Sequence, residues 1–141
     1  MNSNLELEVR PSTVEGAGYG LFTKIDRKKG EYICNYDGEY LTLKQFNNRY
    51  KKKFPIYVLQ IHNDLFIDAK DSESFGKYIN NAKNSGLKSN CRFYINRKNH
   101  AVSVKSTKNI VANSELFIPY GRSYAIKSKN KSKRKKSPKL Y

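Results

Sequence analysis

Two cysteines and two histidines are all the thiols and imidazoles that the chain offers to a metal or a catalyst. Cys34 and Cys91 cannot build a disulfide framework, and by themselves they cannot complete a cysteine-rich zinc site. His62 and His100 fall in hairpin-turn sequences and give no support to a His-based metal site or triad. Acidic residues are scarce, 12 Asp and Glu against 28 Lys and Arg, for a net charge of +16. Such an excess argues for an anionic partner or for residence near one. No apolar run approaches the roughly 20 residues that span a bilayer. The first eight residues are polar and acidic, unlike a signal peptide. The expectation is a soluble intracellular protein in a reducing compartment.

What is present suffices for one compact domain. The chain has 141 residues, 38% of them hydrophobic and 13% aromatic, which excludes wholesale disorder and leaves little room for a second core. The charge is uneven. Residues 122–141 hold nine basic and no acidic side chains, whereas the remainder carries only +7. The Lys/Ser/Asn-rich run from residue 127 reads as a solvated tail, and its Lys133-Arg134-Lys135-Lys136 cluster resembles a nuclear-localisation or DNA-contacting run.

The body reads as many short strands with long irregular connections. A glycine-rich turn precedes Leu21 and Phe22, and residues 32–36 form a strand ended by Asp37-Gly38. Residues 40–53 are predicted as a helix. Thr42 and Gln45 have capping-box spacing, Leu43, Phe46 and Tyr50 share a face, and Pro55 stops it. Hairpins are predicted over 56–69, turning at His62-Asn63-Asp64, and over 92–104, turning at Arg97-Lys98-Asn99. A final strand covers 115–120. There is no internal repeat.

Motifs taken singly are weak. Gly16-Ala17-Gly18-Tyr19-Gly20 lacks the Lys-Ser/Thr of a P-loop, and no alternating strand–helix units surround it as a dinucleotide fold requires. Cys34 and Cys91 read as buried small hydrophobes. The order of motifs is more informative: Gly18-Tyr19-Gly20, Tyr36-Asp37-Gly38, Ile67-Asp68-Ala69, Tyr78-Ile79-Asn80-Asn81-Ala82, Asn90-Cys91, and Glu115-Leu116-Phe117-Ile118-Pro119-Tyr120-Gly121.

That series resembles the SET-domain protein lysine methyltransferases over residues 9–124, and the brevity of the chain is similar to the minimal SET proteins of some large DNA viruses. The family's R-F-I-N-H-S reads Lys77-Tyr78-Ile79-Asn80-Asn81-Ala82 here, and the Asp of its D-Y-G is Pro119. No cysteine-rich segment follows Tyr120-Gly121.

The resemblance implies a mostly β SET fold (β-rich α+β) of several small sheets, with a knot-like C-terminal core and one inserted helix. The domain would occupy 1–126, with a basic tail over 127–141. It implies S-adenosyl-L-methionine as cofactor and a protein lysine, on a histone tail, as acceptor. Tyr120 would stand beside the transferring methyl, and Tyr36 would line the lysine channel with Ile118, Phe93 and Tyr124. Whether Phe93 or its neighbour Tyr94 faces that channel is open. Gly18, Tyr19, Gly20, Asn80 and Asn81 would hold the cofactor together with Tyr120. No metal is implied. Asp68, Asp71 and Glu73 would supply an acidic groove for a basic substrate, the tail would contact nucleosomal DNA, and the location would be the nucleus, or the host nucleus for a viral protein. Two rival readings are a catalytically inactive SET-like binding module and a small basic nucleic-acid-binding protein whose tyrosines stack on bases.

Overall fold

The computed structural model describes residues 3–82 and 86–119. Ten short strands, one short α-helix and a 3₁₀ turn (Gly76–Tyr78) form four small sheets, so the mostly β expectation holds. Strands β1 (Leu7–Pro11) and β2 (Tyr19–Thr23) pair antiparallel. The glycine-rich loop between them is closed by the Ser12 N–H on the Gly18 carbonyl at 2.8 Å. Strand β3 (Tyr32–Asn35) pairs with β9 (Val102–Ser106), which pairs with β8 (Cys91–Ile95). Strand β6 (Leu65–Asp68) lies between β4 (Glu39–Thr42) and β5 (Val58–His62). Strand β7 (Asn80–Asn81) pairs parallel with β10 (Phe117–Ile118). That last pairing sets Asn80 against Phe117 and Asn81 against Ile118, joining two motifs far apart in the chain.

Period-2 alternation sets the main core. Val102 and Val104 of β9 point inward with Ile33, Cys34 and Cys91, while Ser103 and Lys105 point outward. These side chains join Leu21, Tyr36, Leu59, Ile67, Ile79, Leu116 and Ile118 in one buried cluster. A second cluster, Leu41, Phe46, Val58 and Phe66, holds the helix against its sheet.

The helix is shorter than predicted, α1 spanning Leu43–Arg49. Its capping box forms as expected, with the Thr42 hydroxyl accepting from the Gln45 N–H and the Gln45 side chain accepting from the Thr42 N–H. Residues 40–42 belong instead to β4, because pairing Tyr40 with Ile67 and Leu41 with Phe66 satisfies their backbone better than another helical turn would. Phe46 stacks on Phe66 at 4.5 Å, and Tyr50 closes the end. Lys51, Lys52 and Lys53 lie past the last turn, so Arg49 alone is basic there.

Candidate active site

Two structures meet around the buried cluster. The first is an aromatic wall. Tyr36, at 0% exposure, follows β3 and is fixed at both ends. Its N–H donates to the Val102 carbonyl at 3.0 Å, and its hydroxyl donates to the Tyr57 carbonyl at 2.5 Å. Phe93 meets the Tyr36 ring edge-on at 5.4 Å. The structure settles which residue of the pair faces inward: Phe93 packs against the core, and Tyr94 is exposed on the outer face. Ile118, buried on β10, belongs to the same cluster as Tyr36. Tyr57 and Tyr78 extend the aromatic surface at 6.0 Å from each other, and the Lys77 ammonium lies 5.3 Å from both rings. Burial raises the Tyr57 hydroxyl above its usual pKa, so the phenol stays protonated near neutrality.

The second is a polar node at Glu115, a buried carboxylate that accepts from four groups. Ser12 Oγ donates at 2.8 Å, the Thr13 N–H at 2.8 Å, Thr13 Oγ1 at 2.7 Å and Asn80 Nδ2 at 3.2 Å. Asn80 Nδ2 also donates to the Tyr19 carbonyl at 3.0 Å. Gly20 is explained by this packing, since a Cβ there would lie 2.2 Å from Glu115 Oε2. Gly18 is exposed at φ +73° and faces open space, and Tyr19 is exposed beside it. The expected cofactor strip Gly18, Tyr19 and Gly20 is thereby tied to Asn80, Asn81 and β10. Asn80 serves here as a strut, with its amide N–H groups committed to protein acceptors.

Asn90 is a second clamp. Its Oδ1 accepts from the Phe117 N–H at 2.8 Å, its Nδ2 donates to the Glu115 carbonyl at 3.0 Å, and its N–H donates to the Phe117 carbonyl at 3.0 Å. The Asn-Cys pair therefore holds β10 in place, a role the motif alone did not disclose. Tyr120 and Tyr124 lie outside the described residues, as does the basic tail; β10 ends two residues before Tyr120.

One expectation is corrected. Asp68 and Asp71 do line one shallow groove of about 300 Å³, with Gly38, Glu39, Arg49 and Ser72, but Glu73 does not line it and the Asp68 carboxylate is not free for a basic substrate. It is buried, accepts from Arg49 Nη1 at 3.1 Å, the Tyr50 hydroxyl and the Lys70 N–H at 3.0 Å, and is consumed in anchoring α1. Asp71 and Glu73 are exposed. His62 and His100 sit edge-to-face at 5.5 Å on the hairpins. Among the described residues, no group of three or more His, Cys, Asp or Glu could hold a metal ion.

Both thiols are buried and unpaired with each other, and burial pushes each up to about 12. The reactive thiolate is therefore scarce near neutrality. The folded protein is expected to resist iodoacetamide at about pH 8, while denatured chain is alkylated at both positions. Mass spectrometry of the intact protein reads the difference, and fast labelling of the folded form would contradict the burial.

A β-rich fold that ties a glycine strip, an Asn-Asn strand and the Phe117–Ile118 strand after Glu115 around a buried aromatic wall defines a class. The chain matches the SET domain family over residues 18–121. It is 31% identical over 128 residues to the variant-silencing SET domain-containing protein of Plasmodium falciparum, covering 84% of this chain and 5% of that protein. It is 27% identical over 126 residues to the histone-lysine N-methyltransferase EZH2 of Chaetomium thermophilum, covering 80% of this chain and 8% of that one. The structure of ctPRC2 in an autoinhibited conformation bound to S-adenosylmethionine superposes with a TM-score of 0.72 at 25% identity, covering 97% of this chain and 18% of that chain. The chain thus belongs to the SET domain family, among relatives named as histone-lysine methyltransferases, and spans only a small part of their length. No helix among the described residues is long and apolar enough to cross a membrane.

Proposed function

We propose that this domain transfers methyl groups from S-adenosylmethionine to protein lysine, with a histone tail as the acceptor and the nucleus as the place of action. The observation that carries this reading is the Glu115–Asn80 node, which brings the glycine strip, β7 and β10 together beside the Tyr36–Phe93–Ile118 wall. The residues present fit such a cofactor: the backbone at Gly18 opens to solvent, and the strip behind it is rigidly backed by Glu115. Gly18, Tyr19 and Gly20 would hold it with Asn81, and Asn80 would keep those segments in register. When bound, the cofactor supplies an electrophilic methyl on a sulfonium sulfur.

The protein's share is selection of the neutral amine and its alignment. A free lysine has a pKa of about 10.4 and is nearly all ammonium at pH 7. A dry wall of Tyr36, Phe93 and Ile118 penalises that charge by desolvation. The amine can then enter as the nucleophile without a dedicated base, which agrees with a wall that carries no His or carboxylate among the described residues. Tyr36, immobilised by the Tyr57 carbonyl, would fix the approach of the amine, and alignment of this kind is worth several kcal/mol of barrier. Tyr120, two residues past β10, would complete the alignment at the methyl, with Tyr124 covering the channel. The basic tail would add electrostatic affinity for nucleosomal DNA.

Calorimetric titration with S-adenosylmethionine separates an enzyme from an inactive module, which would bind the cofactor weakly or not at all. Product multiplicity is a second test. Ile118 has no group to anchor a water in the space that a second methyl would need, so di- or trimethylated product is expected. In a mass-spectrometric time course with excess cofactor, Ile118→Tyr is expected to shift product toward one methyl. An unchanged distribution in the variant would remove Ile118 from the channel.

A further inference from the structure

Methyl transfer leaves the outer face of the β3–β9–β8 sheet unexplained. Between Glu73 and Glu115 the chain carries eight Lys or Arg and no Asp or Glu. The register places several of these cations on this face. Arg92 stands directly opposite Lys105, and Lys105 is opposite Tyr32 on its other side. In the next row Tyr94, Ser103 and Asn35 lie side by side. Tyr32 is 51% exposed and Tyr94 45%. The β8–β9 turn adds exposed Arg97 and Lys98. The carboxylates at the margin are Glu31, which binds Arg27, and Asp37 beyond the end of β3.

This pattern conflicts with the fold's own stability. Like charges directly opposite on antiparallel strands repel, and the inward residues of the same strands, Cys91, Val102 and Val104, need neither cation. The Lys105 ammonium lies 4.9 Å from the Tyr94 ring centroid, a partial local compensation. A shallow groove of about 320 Å³, lined by Asn35, Tyr94, Ile95, Asn96, Ser103 and Lys105, runs along the face. Anions placed between Arg92 and Lys105 would relieve the repulsion, and flat partners would cover the exposed rings.

We propose that this sheet face binds single-stranded nucleic acid, with Arg92 and Lys105 on backbone phosphates and Tyr94 and Tyr32 stacking on bases. The exposed rings select single strands over duplex. A duplex buries its base faces, so contact with it would use the cations and leave the tyrosines idle. The site is separate from the methyl-transfer wall, because Phe93 and Tyr94 point to opposite sides of β8.

The test uses the full chain and a fluorescent oligothymidine, with affinity measured between about 50 and 200 mM salt. The tail contributes a background common to all variants. In Arg92→Gln/Lys105→Gln, the slope of log Kd against log salt is expected to fall by about 1.4, the counterions of two single-strand phosphate contacts. Tyr94→Ala should weaken binding roughly tenfold with the slope unchanged. Unaltered slope and affinity in these variants would assign all binding to the tail and overturn the proposal. Duplex bound as tightly as single strand, with no effect of Tyr94→Ala, would overturn it in favour of simple backbone contact.

Discussion

Glu115→Ala is expected to weaken S-adenosylmethionine binding by about 100-fold, on the order of 2.7 kcal/mol. The carboxylate accepts from Ser12, the Thr13 N–H and hydroxyl, and Asn80. Leaving a buried donor unpaired costs about 1–3 kcal/mol, which applies here to Asn80 Nδ2, while the part-buried Ser12 and Thr13 donors recover part of their loss by turning toward water. The loop before the glycine strip would lose its anchor, and Asn80 would keep only its bond to the Tyr19 carbonyl. The melting temperature should fall by several degrees. Glu115→Gln keeps one oxygen for the Thr13 N–H and should lie between wild type and alanine. Calorimetry checks the order of the three proteins, and an alanine variant with wild-type cofactor affinity would show that the node does not position the strip.

Tyr120→Phe is expected to leave folding and cofactor affinity intact and to lower turnover by roughly 100-fold or more, the scale of one preorganised polar contact at a reacting centre. Tyr120 follows Ile118 by two residues, and Ile118 is held by pairing with Asn81 while Asn90 clamps Phe117. Pro119 removes a backbone donor between them and restricts the chain as it leaves β10. Single-turnover rates with saturating cofactor isolate the effect from binding. A phenylalanine variant with near-normal turnover would remove Tyr120 from the reaction.

Local signals in the sequence are legible where local chemistry decides the structure. The Thr42–Gln45 capping box and the hairpin turn need only neighbouring residues, and both form, the turn narrowing to Asn63-Asp64 because His62 pairs with Leu65. Strand β4 was hidden because Leu41, Leu43 and Phe46 also suit a helical face, and only pairing with β6 decides between the two. Strand β1 does alternate in Leu-Glu-Val-Arg, but so short and charged a run is a weak signal by itself, and pairing with β2 defines it. The site divides in the same way. Motif order singles out the glycine strip, Tyr36, Asn80 and Ile118, and the structure brings these segments together around one buried cluster. The work of Glu115 and Asn90 rests on hydrogen bonds spanning 25 to 103 residues, which no local pattern reveals. Asp68 misled for the complementary reason, since its proximity in sequence to Asp71 and Glu73 says nothing about the Arg49 and Tyr50 groups that enclose it.

The central claim is methyl transfer to lysine, and its most direct test is mass spectrometry of core histones incubated with the full chain and methyl-deuterated S-adenosylmethionine. The account predicts deuterated methyl groups on lysine of a histone tail, more than one per residue at long times, and their loss with Tyr120→Phe. If calorimetry shows the cofactor bound and no histone lysine acquires label, the assignment of methyl transfer to histone lysine is wrong.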